Sequence, residues 1–238
     1  MGAYFFGGSM RHNPFKNLTG HEWALYITSF LVVLASGFFS GSESILSTVA
    51  SLIGVTALIF VAKGDVYGQV FTIVFSVLYG IVSLRFRYYG ELITYVGMSA
   101  PAAFVTLISW LKHPYRDTNE VEVSHLTVRK MAVVLLLSTA VTVAFYFILG
   151  ALNTANLIVS TLSVFTSFAA CTLLIMRLPY YAIAYSANDI VLIVLWVLAS
   201  LKDVQYIPMV LCFVMFLAND LYGFYNWHRM KKRQRANG

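Results

Sequence analysis

The sequence predicts an all-α membrane protein with eight transmembrane helices, and three observations lead to that class. Of the 238 residues, 59% are hydrophobic and only 11% are charged, with a mean hydropathy of +0.76. A soluble fold needs a hydrated surface that so few charges could hardly supply. Eight apolar runs approach the roughly 20 residues that cross ~30 Å of hydrocarbon, and mostly short polar connections separate them.

The eight apolar runs are predicted to span the bilayer at residues 22–40, 44–62, 66–84, 91–111, 128–150, 155–175, 181–201 and 205–227. The connections between them carry turn-forming residues, as in Ser40-Gly41-Ser42 and Arg177-Leu178-Pro179. Residues 112–127 are the exception, a polar stretch long enough for a cytoplasmic loop. The first run superficially resembles a signal peptide, but it lacks a clear polar region before a cleavage site. It is therefore predicted to be a retained helix.

The distribution of basic residues predicts that both termini are cytoplasmic. With eight spans, the N-terminus, alternate loops and the C-terminal tail share one side, which holds 13 of the 16 lysines and arginines. The opposite side holds only Arg85, Arg87 and Lys202. Because basic residues near helix ends resist translocation, we interpret the tail from Arg229 to Arg235 as a topology anchor. A patch for anionic lipid is the alternative, and no nucleic-acid partner is predicted.

Shifting the sequence on itself by 117 positions reveals a weak internal repeat. Nine residues are identical over about 40 positions, and the last pair is Trp110 with Trp227. The shift maps the second to fourth helices onto the sixth to eighth. The fifth helix is left as a connector and the first as an addition, which is a 3+1+3 plan. Three helices plus a connector make an even number of crossings, so the two triplets are parallel repeats, as in SWEET-type transporters.

This plan divides the chain into five segments. They are an N-terminal segment with the additional helix (1–43), a first three-helix bundle (44–111), a cytoplasmic loop with the connector helix (112–150), a second three-helix bundle (151–228) and a basic cytoplasmic tail (229–238). Two bundles that face each other leave a central path that can rock open to either side of the bilayer.

Polar side chains inside the spans point to function most sharply, because they are costly in lipid and usually face a cavity or the bundle interior. In the seventh helix, Asp189 and Trp196 share one stripe at about 100° per residue, with Asn188 at its edge. The eighth helix has a second stripe with Asp220 beside it, formed by Asn219, Tyr222, Gly223 and Asn226. Asp189 and Asp220 are predicted at matching depths, about 12 Å and about 11 Å from the inner helix ends.

The third helix presents a polar counterpart to these stripes, formed by Gln69, Thr72, Ser76, Tyr79 and Ser83. A layer of amides, carboxylates, hydroxyls and aromatic rings suits a neutral or cationic aromatic solute that is rich in hydroxyl groups. The predicted substrate-binding residues are Trp196, Asn219, Asn188, Asp189, Tyr222, Asn226, Tyr79 and Gln69.

Each of these groups has an alternative, structural interpretation. Asn, Ser and Thr often join helices through hydrogen bonds, so Ser76, Ser83 and Asn226 serve either helix packing or the site. Trp and Tyr near span ends often form interfacial belts. We assign Trp110, Trp227, Tyr88 and Tyr89 to such belts.

Metal chemistry and catalysis find no support in the sequence. All five histidines lie outside the spans, and both cysteines, Cys171 and Cys212, fall inside apolar runs as single buried residues. Neither a metal site nor a cofactor is predicted. An intramembrane enzyme would need a nucleophile beside an embedded base, and no serine or cysteine has one, so the protein is predicted not to be an enzyme.

Three segments of the chain resemble the PnuC family of nicotinamide riboside transporters. They are YSANDIVLIVLW at 185–196, YIPM at 206–209 and FLANDLYGFYNW at 216–227. The resemblance extends over most of the chain from the second helix onward and does not anchor the first helix or the 112–127 loop. It implies a SWEET-like 3+1+3 bundle, a homotrimer, and facilitated diffusion of nicotinamide riboside that cytoplasmic phosphorylation makes one-way.

The resemblance also implies which residues contact the substrate. Family contacts come chiefly from Trp and Asn on the last two helices, which correspond to Trp196 and Asn219 and less securely to Asn188 and Tyr222. The seventh helix has a single tryptophan where some relatives are expected to have two. Tyr79 or Tyr185 is therefore a candidate for stacking on the second face of the ring.

The leading hypothesis is a uniporter for nicotinamide riboside in the bacterial cytoplasmic membrane. Rival substrates within the same fold are thiamine, riboflavin and deoxynucleosides, which the sequence pattern separates poorly. Proton coupling through Asp189 or Asp220 is a second mechanistic alternative, since buried carboxyl groups commonly carry protons.

Overall fold

A computed structural model describes residues 12–39, 45–85, 92–116, 118–154, 156–201 and 207–237. After a short 3-10 turn at Pro14–Asn17, these residues form eight helices. The helices are α1 (Gly20–Phe39), α2 (Ile45–Ala62), α3 (Val66–Arg85), α4 (Ile93–Lys112, π-helical as far as Ser99), α5 (Val128–Ala151), α6 (Leu157–Ile175), α7 (Tyr181–Ser200) and α8 (Ile207–Ala236).

The predicted all-helical membrane architecture is confirmed, since each predicted span coincides with a helix. By length and composition, α1 and α4 to α8 can cross a membrane. The apolar parts of α2 and α3 are shorter, at Thr48–Ala62 and Val66–Ile81. The Ser40-Gly41-Ser42 connection, Tyr88, Tyr89 and the side chain of Ser83 lie outside the described residues.

The eighth helix continues well past its apolar part, through the basic segment to Ala236. Its end is held by the loop between α4 and α5. The side-chain amide of Gln234 accepts a hydrogen bond from Val123 N at 2.8 Å and donates one to Val121 O at 3.0 Å, and Arg233 forms an ion pair with Glu120. This loop and the α2–α3 turn therefore lie at one end of the bundle with the start of α1 and the end of α8, which we name the termini end. The opposite end is named the far end.

Helix contacts arrange the chain as two groups of three. Consecutive helices pack together in α2, α3 and α4 and again in α6, α7 and α8. The groups meet where α2 packs on α8 and where α4 packs on α6, whereas α5 packs mainly on α6. The 3+1+3 repeat stays a prediction, and corresponding helices begin fewer than 117 positions apart, as Val66 and Tyr181 do.

Helix α1 packs against α2 and α8, and a buried glutamate fixes it there. Glu22 is only 2% exposed, and its carboxylate accepts hydrogen bonds from Thr19 N at 2.6 Å, Lys63 Nζ at 3.1 Å and Tyr222 Oη at 2.5 Å. The Thr19 bond is one half of a capping box at the start of α1. One carboxylate thus joins α1, the α2–α3 turn and α8.

Glycine at position 68 allows α2 and α3 to pack closely at the termini end. A Cβ on Gly68 would lie 2.5 Å from the backbone nitrogen of Val61, and the neighbouring backbone of Phe60 is also within 2.9 Å. Backbone atoms cannot move aside as a flexible side chain can. Any side chain at this position therefore forces the two helices apart.

Gly68→Ala is expected to destabilise the protein by about 1–3 kcal/mol, the usual cost of overpacking. The measurement is the thermal unfolding midpoint in detergent. Gly97→Ala is the matched control, because its nearest atom would be 3.8 Å away. Equal midpoints for the two variants would contradict the close approach of α2 to α3.

Candidate functional site

A cavity of about 710 Å³ lies between the two groups of helices. Its walls come from α2, α3 and α4 on one side and from α6, α7 and α8 on the other. Inside the bundle it reaches Gln69, Asp189 and Asp220, and toward the far end it reaches Asn153 and Asn156 in the exposed α5–α6 connection. The cavity therefore leads from the far end into the centre of the bundle.

Nine buried side-chain polar atoms lack a hydrogen-bond partner among the described residues, and three of them belong to residues on the cavity wall. These three are Gln69 Nε2, Ser76 Oγ and Asp189 Oδ2. Gln69 and Ser76 are on α3 and Asp189 is on α7, so both helix groups contribute. A buried polar group without a partner costs about 1–3 kcal/mol. A polar ligand in the cavity is one source of the partners that these three groups lack.

Helix α6 orients the amide of Asn188, which also lines the cavity. Its Oδ1 accepts hydrogen bonds from the hydroxyls of Ser163 and Thr166, each at 2.9 Å. Two donors on one oxygen fix which end of the amide is the acceptor. Asn188 is thus a pre-oriented polar group next to Asp189.

Two carboxyl groups lie next to each other on the cavity wall. Asp189 of α7 and Asp220 of α8 are 3% and 4% exposed, and their side chains are close enough to interact directly. Both line the cavity. Their pairing agrees with the matching depths predicted from helix geometry.

Aromatic side chains form much of the remaining wall, namely Phe75, Tyr95, Trp196, Phe213 and Phe216. Phe75 packs edge-on against Tyr95, with ring centroids 5.6 Å apart and planes at 89°. Trp196 is in the half of α7 nearer the far end and lines the cavity. These rings offer faces on which a planar solute can stack.

The structure brings together four of the eight predicted binding residues. Gln69, Asn188, Asp189 and Trp196 line the cavity. Tyr79 packs beside it, with its ring centroid 4.4 Å from that of Tyr95. Substrate contact by the predicted residues stays a prediction.

The other three predicted residues contact α1 and α2, because α1 covers the stripe that α8 presents. Asn219 Nδ2 donates to Ser29 Oγ at 2.9 Å, Tyr222 bonds Glu22, and Asn226 Nδ2 donates to Ala62 O at 2.9 Å. The described residues therefore place Asp220, rather than the stripe beside it, on the cavity wall.

A layer of tightly packed aromatic residues closes the cavity at the termini end. Trp110 and Trp227 are 1% and 0% exposed, with ring centroids 5.6 Å apart, and Tyr181 packs against Trp227. The assignment of both tryptophans to an interfacial belt was therefore wrong. Their rings face the bundle interior, where each indole N–H donates a hydrogen bond to a backbone carbonyl.

The two tryptophans are part of a reciprocal set of hydrogen bonds between the helix groups. On one side, Ser109 Oγ donates to Ile175 O at 3.0 Å and Trp110 Nε1 donates to Leu174 O at 3.3 Å. On the other, Asn226 Nδ2 and Trp227 Nε1 each donate at 2.9 Å, to Ala62 O and Val61 O. We name these four bonds the cross-lock. The 117-position shift maps one donor pair onto the other.

Sequence reasoning missed the contribution of α6 to the cavity. Its lining residues include Ser160, Ser163 and Ser167, which recur at the spacing of one helix face. That spacing was a usable signal. Tyr95 and the asparagines at 153 and 156 carry no comparable signal, because they lie near helix ends.

A bundle of helices long and apolar enough to cross a membrane, with a cavity that leads from one end into its interior, has the architecture expected of a transporter of small solutes. Residues 44–229 match the family described as Nicotinamide mononucleotide transporter, and the chain belongs to this family. The resemblance to PnuC proteins, predicted from the seventh and eighth helices, is thereby confirmed. Membership of a transporter family also indicates a role other than catalysis.

Named relatives cover most of the chain. The nicotinamide riboside transporter PnuC of Neisseria mucosa is 31% identical over 90% of this chain and 83% of its own length. The protein of the same name from Haemophilus influenzae is 22% identical over 88% of this chain and 90% of its own length. The crystal structure of a vitamin B3 transporter PnuC superposes with a TM-score of 0.79 at 29% identity, covering 92% and 94% of the two chains.

The two cysteines provide a test of the direction in which the cavity opens. Cys171 lines the cavity, whereas Cys212 is buried away from it. A cationic, membrane-impermeant thiol reagent applied at the far end is expected to modify Cys171 in the Cys212→Ser variant. Cys212 in the Cys171→Ser variant is the matched control and should stay unmodified. Equal modification of both, measured by mass spectrometry, would contradict the assigned opening.

Proposed function

We propose that this chain carries nicotinamide riboside across the bacterial cytoplasmic membrane by facilitated diffusion. Phosphorylation in the cytoplasm then traps the solute and makes uptake one-way. The main structural support for this proposal is a cavity with aromatic walls that also holds three buried polar groups without a partner among the described residues, Gln69 Nε2, Ser76 Oγ and Asp189 Oδ2. Family membership and the names of the relatives support the choice of solute.

The chemistry of the solute matches that of the cavity wall. Nicotinamide riboside combines a planar cationic ring, a carboxamide and ribose hydroxyls. Amide, hydroxyl and carboxylate groups are complementary to the last two, and the rings of Trp196 and Tyr95 suit the first. Such a mixed site, mostly apolar with a few placed polar groups, is typical of small-molecule pockets.

The proposal includes a membrane orientation and an assembly. The termini end faces the cytoplasm, supported by the 13 of 16 basic residues that belong to that side. The far end, where the cavity begins, then faces the solute supply. Two parallel three-helix bundles rock about the central site. A homotrimer is proposed on the resemblance, and α5 offers an exposed apolar face for its contacts, including Leu136 and Phe147.

Alternative solutes and coupling modes are separable by one assay. Proteoliposomes containing the pure protein should show saturable uptake of labelled nicotinamide riboside that does not require a pH gradient. Preferential uptake of thiamine, riboflavin or a deoxynucleoside would overturn the choice of solute. Loss of uptake on collapse of a pH gradient would instead favour proton coupling through the aspartates.

Trp196→Ala is expected to weaken nicotinamide riboside binding by about 1 kcal/mol, roughly fivefold, through loss of a stacking face. The measurement is the dissociation constant of the purified protein. Trp23→Ala is the matched control, because Trp23 is on the outer face of α1 and 36% exposed. Unchanged affinity in Trp196→Ala, with a normal unfolding midpoint, would assign Trp196 to packing.

A further inference from the structure

We propose that the Asp189–Asp220 pair makes the cavity select a positively charged ring over a neutral ring of the same shape. The inference rests on the proposed function and deepens it, because it names charge as a determinant of specificity and the acid pair as its source. Its basis is the charge inventory of the cavity wall.

The cavity wall is acidic in its ionised groups. Among the lining residues that the structure describes, Asp189 and Asp220 are the carboxylic acids, and none is a lysine, arginine or histidine. The nearby hydroxyl of Tyr185 is engaged with Cys171 Sγ at 3.1 Å, and that of Tyr181 faces Val61 O at 3.5 Å. These neighbours bring no positive charge to the pair.

Both carboxyl groups of the pair lie on the cavity wall, 3% and 4% exposed. Two buried carboxyl groups at close range share a proton, because two full charges there would repel each other, and the shared state carries one negative charge. Asp189 Oδ2 has no hydrogen-bond partner in the part of the chain that the structure describes. The missing partner is supplied most favourably by a cation, because an uncompensated charge is costly at such depth.

A cationic ring gains from this charge in two ways. Attraction between opposite charges is far stronger in a low-dielectric site than in water. The aromatic wall that includes Phe75, Trp196 and Phe216 adds cation–π attraction. A neutral ring of equal size gains neither contribution, although it fills the same space.

The test uses two solutes of closely similar size that differ chiefly in ring charge, nicotinamide riboside and its neutral 1,4-dihydro form, whose ring has gained a hydride at C4. Binding to the purified protein in detergent avoids any effect of a membrane potential. The wild-type protein is expected to bind the cationic solute at least about tenfold more tightly. Asp189→Asn should abolish most of this ratio by weakening the cationic solute, with little change for the neutral one.

Glu122→Gln is the matched control, since Glu122 is an exposed acid in the α4–α5 loop, and it should keep the wild-type ratio. Asp220→Asn provides a second variant in case Asp189→Asn does not fold. Equal wild-type affinity for the two solutes would overturn the inference, as would an Asp189→Asn variant that weakens both equally. Binding of neither solute would overturn the proposed function and the inference with it.

A separate observation, the cross-lock, carries a second inference. We infer that the cross-lock is the gate at the termini end, and that transport requires its two indole bonds to break together. Each donor pair belongs to one helix group, and each acceptor pair is the last turn of a helix in the other group. Separation of the groups at this end therefore breaks all four bonds.

Trp110→Phe and Trp227→Phe keep the packed ring and remove one N–H donor each. Each variant is expected to raise opening at the termini end about two- to tenfold, the equivalent of one net hydrogen bond. The readout is the rate at which an impermeant thiol reagent applied from that end modifies Cys171, with Cys212 replaced by serine. Similar effects of the two variants are expected from their reciprocal roles.

Trp23→Phe is the control, because Trp23 lies outside the cross-lock. Unchanged modification in both cross-lock variants would overturn the gate. A large increase in one variant alone would overturn the paired opening. Unfolding midpoints in detergent distinguish gating from a general loss of structure, since a gate variant should keep its midpoint within the cost of one hydrogen bond.

Discussion

Every polar group buried among helices in hydrocarbon must find a partner inside the protein, because lipid offers none. Helices satisfy their own backbone, so the constraint falls on side chains and on the last carbonyls of each helix. The side-chain nitrogen of Asn219 meets it by donating to Ser29 Oγ and Met215 O, and that of Asn226 by donating to Ala62 O. Against this background, the unpartnered atoms of Gln69, Ser76 and Asp189 mark the place where a solute completes the structure.

The same constraint explains which parts of the fold were predictable from the sequence. Span bounds depend on the length of apolar runs, and all eight runs coincide with helices to within a few residues outside the α8 extension. The depth of Asp189 and Asp220 followed from helix rise alone. These features depend on one helix at a time, so they need no knowledge of neighbouring helices.

Features that depend on neighbours were not predictable in this way. The stripe containing Asn219 and Tyr222 was expected to face a central path, but α1 packs on it and takes up its hydrogen bonds. The resemblance did not anchor α1, so nothing in the sequence showed which face it would cover. The positions of Trp110 and Trp227 near helix ends are compatible with an interfacial belt as well as with the bundle interior. The acceptor carbonyls on the facing helices, which the sequence does not reveal, place them in the interior.

Those acceptor carbonyls explain how a tightly packed closure can still open. Val61, Ala62, Leu174 and Ile175 lie in the last turns of α2 and α6, where carbonyls lack an α-helical partner. Val61 O and Leu174 O also accept turn bonds from Gly64 N and Arg177 N, each at 2.9 Å. The cross-lock donors complete the hydrogen bonding of these carbonyls in the closed arrangement, and water can replace the donors once the groups separate. Exchange of a protein donor for water changes the free energy by only about 0.5–1.5 kcal/mol per bond. A closure built from helix-end carbonyls therefore seals the path without making its opening prohibitively costly. A plug of aliphatic side chains of equal size has no hydrogen bonds that water could replace on opening.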